Sequence, residues 1–232
     1  MIDADKVKKF WDNRATAYGK LPLESLSNFE HDPKKLERKI QDETGKVFEW
    51  LPDIRGLSIL DLGAGTGQWS FRFIERGARE VAAVEYSASM AEIGASEAKR
   101  RGLTSVHFHV CPAEAYIPNR LFDLVFISGL FVYLNDDQSE RLLANLPAML
   151  APCSPLCLRD GTGVTGRFEI NDRMSKDLGV SYSAIYRSRE QFTTAFERAG
   201  FHLVRDENIF PEGHPLNKFP ETRMRLFLFN RA

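Results

Sequence analysis

The sequence predicts a doubly wound α/β fold: a mainly parallel, seven-stranded sheet with helices on both faces. Three observations point there. Short apolar runs recur along the chain and read as strands covered on both faces. Helical patterns separate them, as in βαβ units. The first run ends in a glycine-rich turn that opens directly into a helix.

The elements follow in order. Two helical patterns, Asp5–Tyr18 and Asp32–Leu51, precede the sheet and read as a cap over residues 1–52. Strands are expected at Leu57–Leu62, Val81–Val84, Val106–Val110, Phe122–Ile127, Pro155–Leu158 and Phe201–Val204. Helices are expected at Gln68–Arg76, Ser87–Arg101, Asp136–Leu150 and Ser188–Ala199. Gly102 and Gly200 close two of these as C-caps. The last run, Arg223–Asn230, follows a proline-containing loop with no helix between, so it is expected antiparallel to its neighbour. The segment 161–187, rich in Gly, Ser, Arg and Tyr, is too long for a plain connection and begins at a strand's C-terminal end. It reads as a lid or substrate wall in a single domain of residues 1–232.

Composition excludes several classes. Of 232 residues, 43% are hydrophobic and 27% charged, so disorder and fibrous architectures are out, and 17 Phe and 3 Trp can fill a sizeable core. With 31 Lys+Arg against 32 Asp+Glu, nothing suits a generally basic nucleic-acid binder. No apolar stretch approaches the ~18–20 residues of a membrane span. The opening MIDADKVKKFWDNR has no apolar signal region. Cys111, Cys153 and Cys157 lack the second pair a metal site wants, so no metal is expected; they read as reduced thiols in a cytoplasmic protein, monomeric or homodimeric.

The strongest motif is Ser58–Gly67, SILDLGAGTG: an apolar strand ending in Asp61, then Gly63, Gly65 and Gly67, then a helix. Such glycines let a ligand touch the main chain. A dinucleotide would want GxGxxG, and Gln68 stands where its third glycine belongs. Asp61-Leu62-Gly63-Ala64-Gly65-Thr66-Gly67 resembles the first motif of the class I S-adenosylmethionine (SAM)-dependent methyltransferases, and the likeness extends over about residues 55–160. The resemblance implies a Rossmann-like fold, SAM as cofactor and S-adenosylhomocysteine (SAH) as product. It further implies that Glu85 accepts the ribose hydroxyls and that Tyr86 and Met90 pack on the adenine. Ala113 and Glu114, in the CPAEA segment after the third strand, would read the adenine edge, although Pro112 stands where the family has Asp. Ile127 and Ser128 would lie beside the methionine chain. Trp11, Arg14 and Tyr18 share a helix face that folds over the cofactor in small-molecule members.

Methyl transfer needs alignment above all, and a base only where the acceptor must lose a proton early. Tyr133 and His214 are the candidates for a catalytic side chain. The lid and its approach carry Arg159, Arg167, Arg173, Arg187 and Arg189. Arg159, Tyr18, Tyr182, Tyr186 and Arg187 are expected to contact a small polar acceptor, carrying a carboxylate or phosphate. His31, His107, His109 and His202 read as structural. The expected activity is O- or N-methylation of a small metabolite, with no nucleic-acid or membrane partner; the alternatives are a methyltransferase acting on RNA or protein, or a non-catalytic SAM-binding scaffold.

Overall fold

A computed structural model describes residues 1–30, 32–175 and 179–231. His31 and part of the 161–187 segment therefore lie outside the described residues. Three helices come first: α1 (Ala4–Ala15), α2 (Leu23–Leu26) and α3 (Pro33–Trp50). The sheet then alternates with helices: β1 (Ser58–Leu62), α4 (Gln68–Glu75), β2 (Glu80–Glu85), α5 (Ala88–Arg101), β3 (Val106–Val110), β4 (Leu124–Ser128), α6 (Asp136–Asn145) and β5 (Pro155–Gly163). After β5 come β6 (Phe168–Ser175), β7 (Val180–Ser188), α7 (Arg189–Arg198), β8 (Phe201–Asn208) and β9 (Thr222–Arg231).

Strands β3-β2-β1-β4-β5 run parallel in that order, and β9 then lies antiparallel to β5 from Pro155↔Asn230 to Gly163↔Thr222. β8 pairs antiparallel with β9 at the far edge, which makes it parallel to the rest. The seven-stranded, mainly parallel sheet with an antiparallel last strand is therefore present. The 161–187 segment corrects the expectation of a loop. It extends β5 to Gly163 and adds the antiparallel β6–β7 hairpin, so nine strands connect. β7 joins β5 at Thr162↔Arg187 and Gly163↔Ser188, taking the side of β5 that β4 leaves at Ser128.

The element ends follow from local chemistry. Asp3 and Asp32 cap α1 and α3 by accepting from the first free N–H groups, and Ser188 with Gln191 forms a capping box on α7. β1 is buried throughout, as a central parallel strand must be. One core cluster joins Leu60, Val84, Val125 and Leu158 to Phe192, Phe196 and Phe227, on the α6–α7 side. A second joins Val47, Trp50, Ile59, Phe73 and Phe126, on the α3–α4 side. No described helix is long and apolar enough to cross a membrane.

Gly67 needs its missing side chain. Its φ is +80°, and a Cβ would sit 2.6 Å from the Phe108 ring of β3. Gly67→Ala should destabilise the fold by ~1–3 kcal/mol through strain and overpacking. The urea midpoint should fall while the circular dichroism stays native; an unmoved midpoint would refute this close packing.

Candidate active site

The C-terminal ends of β1, β2, β4 and β5 open into a cavity of about 790 Å³. The turn after β1 forms one wall, α1 and the α2–α3 connection roof it, and the β6–β7 hairpin closes the side. Cap and hairpin meet over it: Lys6 Nζ bonds Asp172 Oδ2 at 2.5 Å, and Tyr182 packs edge-on against Phe10 and Phe29. α1 also docks on the loop after β2, where Ser87 Oγ donates to Asp12 Oδ1 at 2.6 Å.

Gly63, Ala64 and Gly65 line the cavity, the two glycines with φ of +76° and +56°. Glu85, ending β2, is held by two backbone donors: Gly65 N–H to Oε2 at 2.8 Å and Ser87 N–H to Oε1 at 2.7 Å. Tyr86, Met90, Ala113, Glu114, Ser128 and Trp11 also line it. Glu114 is partly committed, accepting from Gln138 Nε2 at 2.9 Å.

Five expected contacts lie elsewhere. Asp61 points away into α4, where Ser70 Oγ donates to its Oδ2 at 2.7 Å, so it supports the turn from beneath. Gly67 faces Phe108 and serves packing. Ile127 falls on the opposite face of β4 from Phe126 and Ser128, because strand side chains alternate, and it is fully buried in the core. Arg14 donates to the carbonyls of Ser25, Leu26 and Asn28, so it ties α1 to the segment carrying Ser27 and Phe29. α1 ends at Ala15, so Tyr18 leaves the shared helix face; it is 44% exposed in the following turn.

Across the cavity stand three phenols: Tyr133 Oη lies 3.1 Å from Tyr182 Oη, which lies 3.4 Å from Tyr186 Oη. Burial pushes all three phenols above their ordinary range, so they stay protonated. Arg159 lines the cavity, bonding Glu43 Oε2 at 2.6 Å and Ser128 Oγ at 3.0 Å. Arg173 lines it too, with no ion pair among the described residues. Arg187 does not. It is 6% exposed and its guanidinium is spent on the carbonyls of Phe131 and Leu134 and on Asp136. Arg167 pairs with Asp136 and Glu169, and Arg189 with Asp206. His214 also stays outside the lining: its ring stacks on Phe210, and its Nδ1 accepts from Leu216 N–H at 3.2 Å. It orders its own loop.

Comparison with known proteins fits this geometry. Residues 59–153 match the family described as Methyltransferase domain. Over those residues the chain is similar to a methyltransferase domain. A relative is phosphoethanolamine N-methyltransferase 1 of Triticum aestivum, 27% identical over 157 residues, covering 66% of this chain and 30% of that protein. The chain thus spans less than a third of that relative. Two solved structures share the fold. Phosphoethanolamine N-methyltransferase 1 of Haemonchus contortus, in complex with phosphoethanolamine and SAH, gives a TM-score of 0.75 at 18% identity, covering 98% of this chain and 48% of that one. The DhpI–SAH complex gives 0.69 at 21% identity, covering 99% and 96%.

The residues at this cavity fit SAM. The glycine turn leaves main chain bare at the cavity wall, and a carboxylate waits one strand over. Burial raises Glu85 above the ordinary carboxylate range, against the stabilising N–H groups of Ser87 and Gly65. Burial also pushes Asp61 up to about 7, opposed by the Ser70 hydroxyl. Unfolded, that group titrates near ~3.9. The folded chain therefore holds the proton between about pH 4 and 7, and this group's contribution lowers stability as pH rises through that window. Asp61→Asn should flatten that part of the stability–pH curve; an unchanged slope would mean Asp61 ionises without penalty.

Sequence reasoning missed Lys39, Glu43 and Arg72 on the cavity wall. Gln68 and Arg72, four apart on one helix, carried a detectable signal, since both face the side from which the glycine turn is approached.

Proposed function

We propose that this methyltransferase moves the methyl group of SAM to an oxygen or nitrogen atom of a small polar, anionic acceptor. The observation that carries the reading is the cavity itself. Its volume of about 790 Å³ is that of a small-molecule site, with the glycine turn and Glu85 on one side and the Tyr133, Tyr182 and Tyr186 hydroxyls opposite. Relatives named for phosphoethanolamine support a polar acceptor with an anionic end.

When bound, SAM supplies a methyl group activated by its sulfonium. Glu85 would accept the ribose hydroxyls, Tyr86 and Met90 would cover the adenine, and Ala113 N–H would meet the ring edge. Gly63 and Gly65 would leave space for the methionine end, and Trp11 would roof it. Tyr133, Tyr182 and Tyr186, kept protonated by burial, would donate to the acceptor and orient its nucleophilic atom. Their phenols are poor bases at neutral pH, and no histidine lines the cavity among the described residues. Asp160, pushed up to about 6 by burial, is tied to the N–H groups of Leu130, Phe131 and Gly161. The site therefore suits acceptors needing little proton removal: a carboxylate or phosphonate oxygen, or a neutral amine.

The test is methyl transfer from labelled SAM to phosphoethanolamine, small carboxylates and small phosphonates, with tRNA and a protein extract in parallel. SAH formation with a small anionic acceptor is expected. Label entering only the RNA or protein fraction would overturn the reading.

A further inference from the structure

One wall of the cavity carries more positive charge than the fold uses. Lys39 and Glu43 reach it from α3, Gln68 and Arg72 from α4, and Arg159 from the end of β5. Three cations face one carboxylate there, because Lys218 is already paired with Glu30 at 2.7 Å. Glu43, 4% exposed, takes Arg159 at 2.6 Å and has Lys39 only at 4.0 Å. Lys39 turns instead to Asn28 Oδ1 at 2.9 Å. Arg72 lies over the Trp69 ring, 4.9 Å from its centroid, and makes no ion pair or side-chain hydrogen bond among the described residues.

The donors on this wall are also unspent. Arg159, 7% exposed, has a buried Nε without a partner, and Gln68 Nε2 is buried without one. Buried donors and an unpaired guanidinium are costly unless something accepts from them. A group with several lone pairs and negative charge answers both deficits at once.

We propose that Arg72, Arg159, Gln68 and Lys39 form an oxyanion subsite that reads a carboxylate or phosphate within the cavity. Two sources supply that chemistry: the carboxylate of SAM, or the anionic end of the acceptor. Gln68 and Arg72 directly follow the glycine turn, and Arg159 donates to Ser128 at the end of β4, so the subsite flanks the region where both ligands meet. Its first source rests on cofactor binding alone; only the second rests on the small anionic acceptor proposed above.

The test uses the purified full chain with Arg72→Met, which keeps an unbranched side chain of similar length and removes the charge, Arg72→Lys, which restores a charge, and Gln68→Leu. Calorimetry compares SAM with its decarboxylated analogue. If SAM is the source, wild type prefers SAM roughly ten- to hundredfold, Arg72→Met and Gln68→Leu erode that preference, and Arg72→Lys recovers part of it. If the acceptor is the source, SAM and the analogue bind alike in every variant. Inorganic phosphate then raises the unfolding temperature of the SAH-loaded wild type and not of Arg72→Met. Ligand-free Arg72→Met should melt ~2–4 °C higher, since a half-buried cation with no ion pair is gone. Equal preference and equal phosphate response in wild type and Arg72→Met overturn the subsite, as does a lower melting temperature of ligand-free Arg72→Met. Methyl transfer to a small acceptor, measured separately, is a different result and survives that failure.

Discussion

Glu85→Ala should weaken SAM binding by ~1–3 kcal/mol, and Gly65→Val should abolish it. The carboxylate of Glu85 is proposed to meet the ribose directly, and it also anchors the turn by accepting from Gly65 N–H at 2.8 Å and Ser87 N–H at 2.7 Å. Its loss removes a ligand contact and loosens the wall that presents Gly63 and Gly65. Gly65→Val acts differently. At φ +56° a β-branched residue is strained, and its Cβ would lie 3.0 Å from Ser27 Oγ, in the space proposed for the methionine end. Calorimetry with SAM reads both variants, and Gly65→Ala should fall between wild type and Val. Unchanged affinity in Glu85→Ala and Gly65→Val together would dismiss these contacts.

Much of this was legible in the sequence because it rests on local rules. Short apolar runs gave the strands, and the helix patterns gave the alternation. The missing helix before Arg223 gave the antiparallel β9, which pairs along nine residues of β5. The glycine turn and Glu85 were legible for the same reason: their spacing within one βαβ unit fixes their geometry. Long-range arrangement was not. Arg187 sat in a segment full of arginines, and nothing local told that its guanidinium would close the carbonyls of Phe131 and Leu134. Tyr18 was assigned to a helix face that stops three residues earlier. Glu43 lies 116 positions from Arg159, and only the docking of α3 against β5 brings them together. The lid read as a loop because its apolar residues are few: the β6–β7 hairpin is held by backbone pairing, with most of β6 exposed.

That distant pair carries the other large effect. Arg159→Met should cost about 3–5 kcal/mol of folding stability, because it leaves the Glu43 carboxylate buried with Lys39 no nearer than 4.0 Å. Arg159→Met combined with Glu43→Leu should recover most of that loss, since two apolar residues of similar volume need no partner. Urea unfolding of both single variants and the double variant closes the thermodynamic cycle, and a coupling below ~1 kcal/mol would show that the pair is not buried as described. The recovery should stop at stability. If the pair exists to aim Arg159 at a ligand, the double variant folds as well as wild type and still loses the discrimination between SAM and its decarboxylated analogue, or the phosphate response of the SAH-loaded protein. A buried ion pair that hydrophobic residues can replace for folding but not for binding is one retained for its charge.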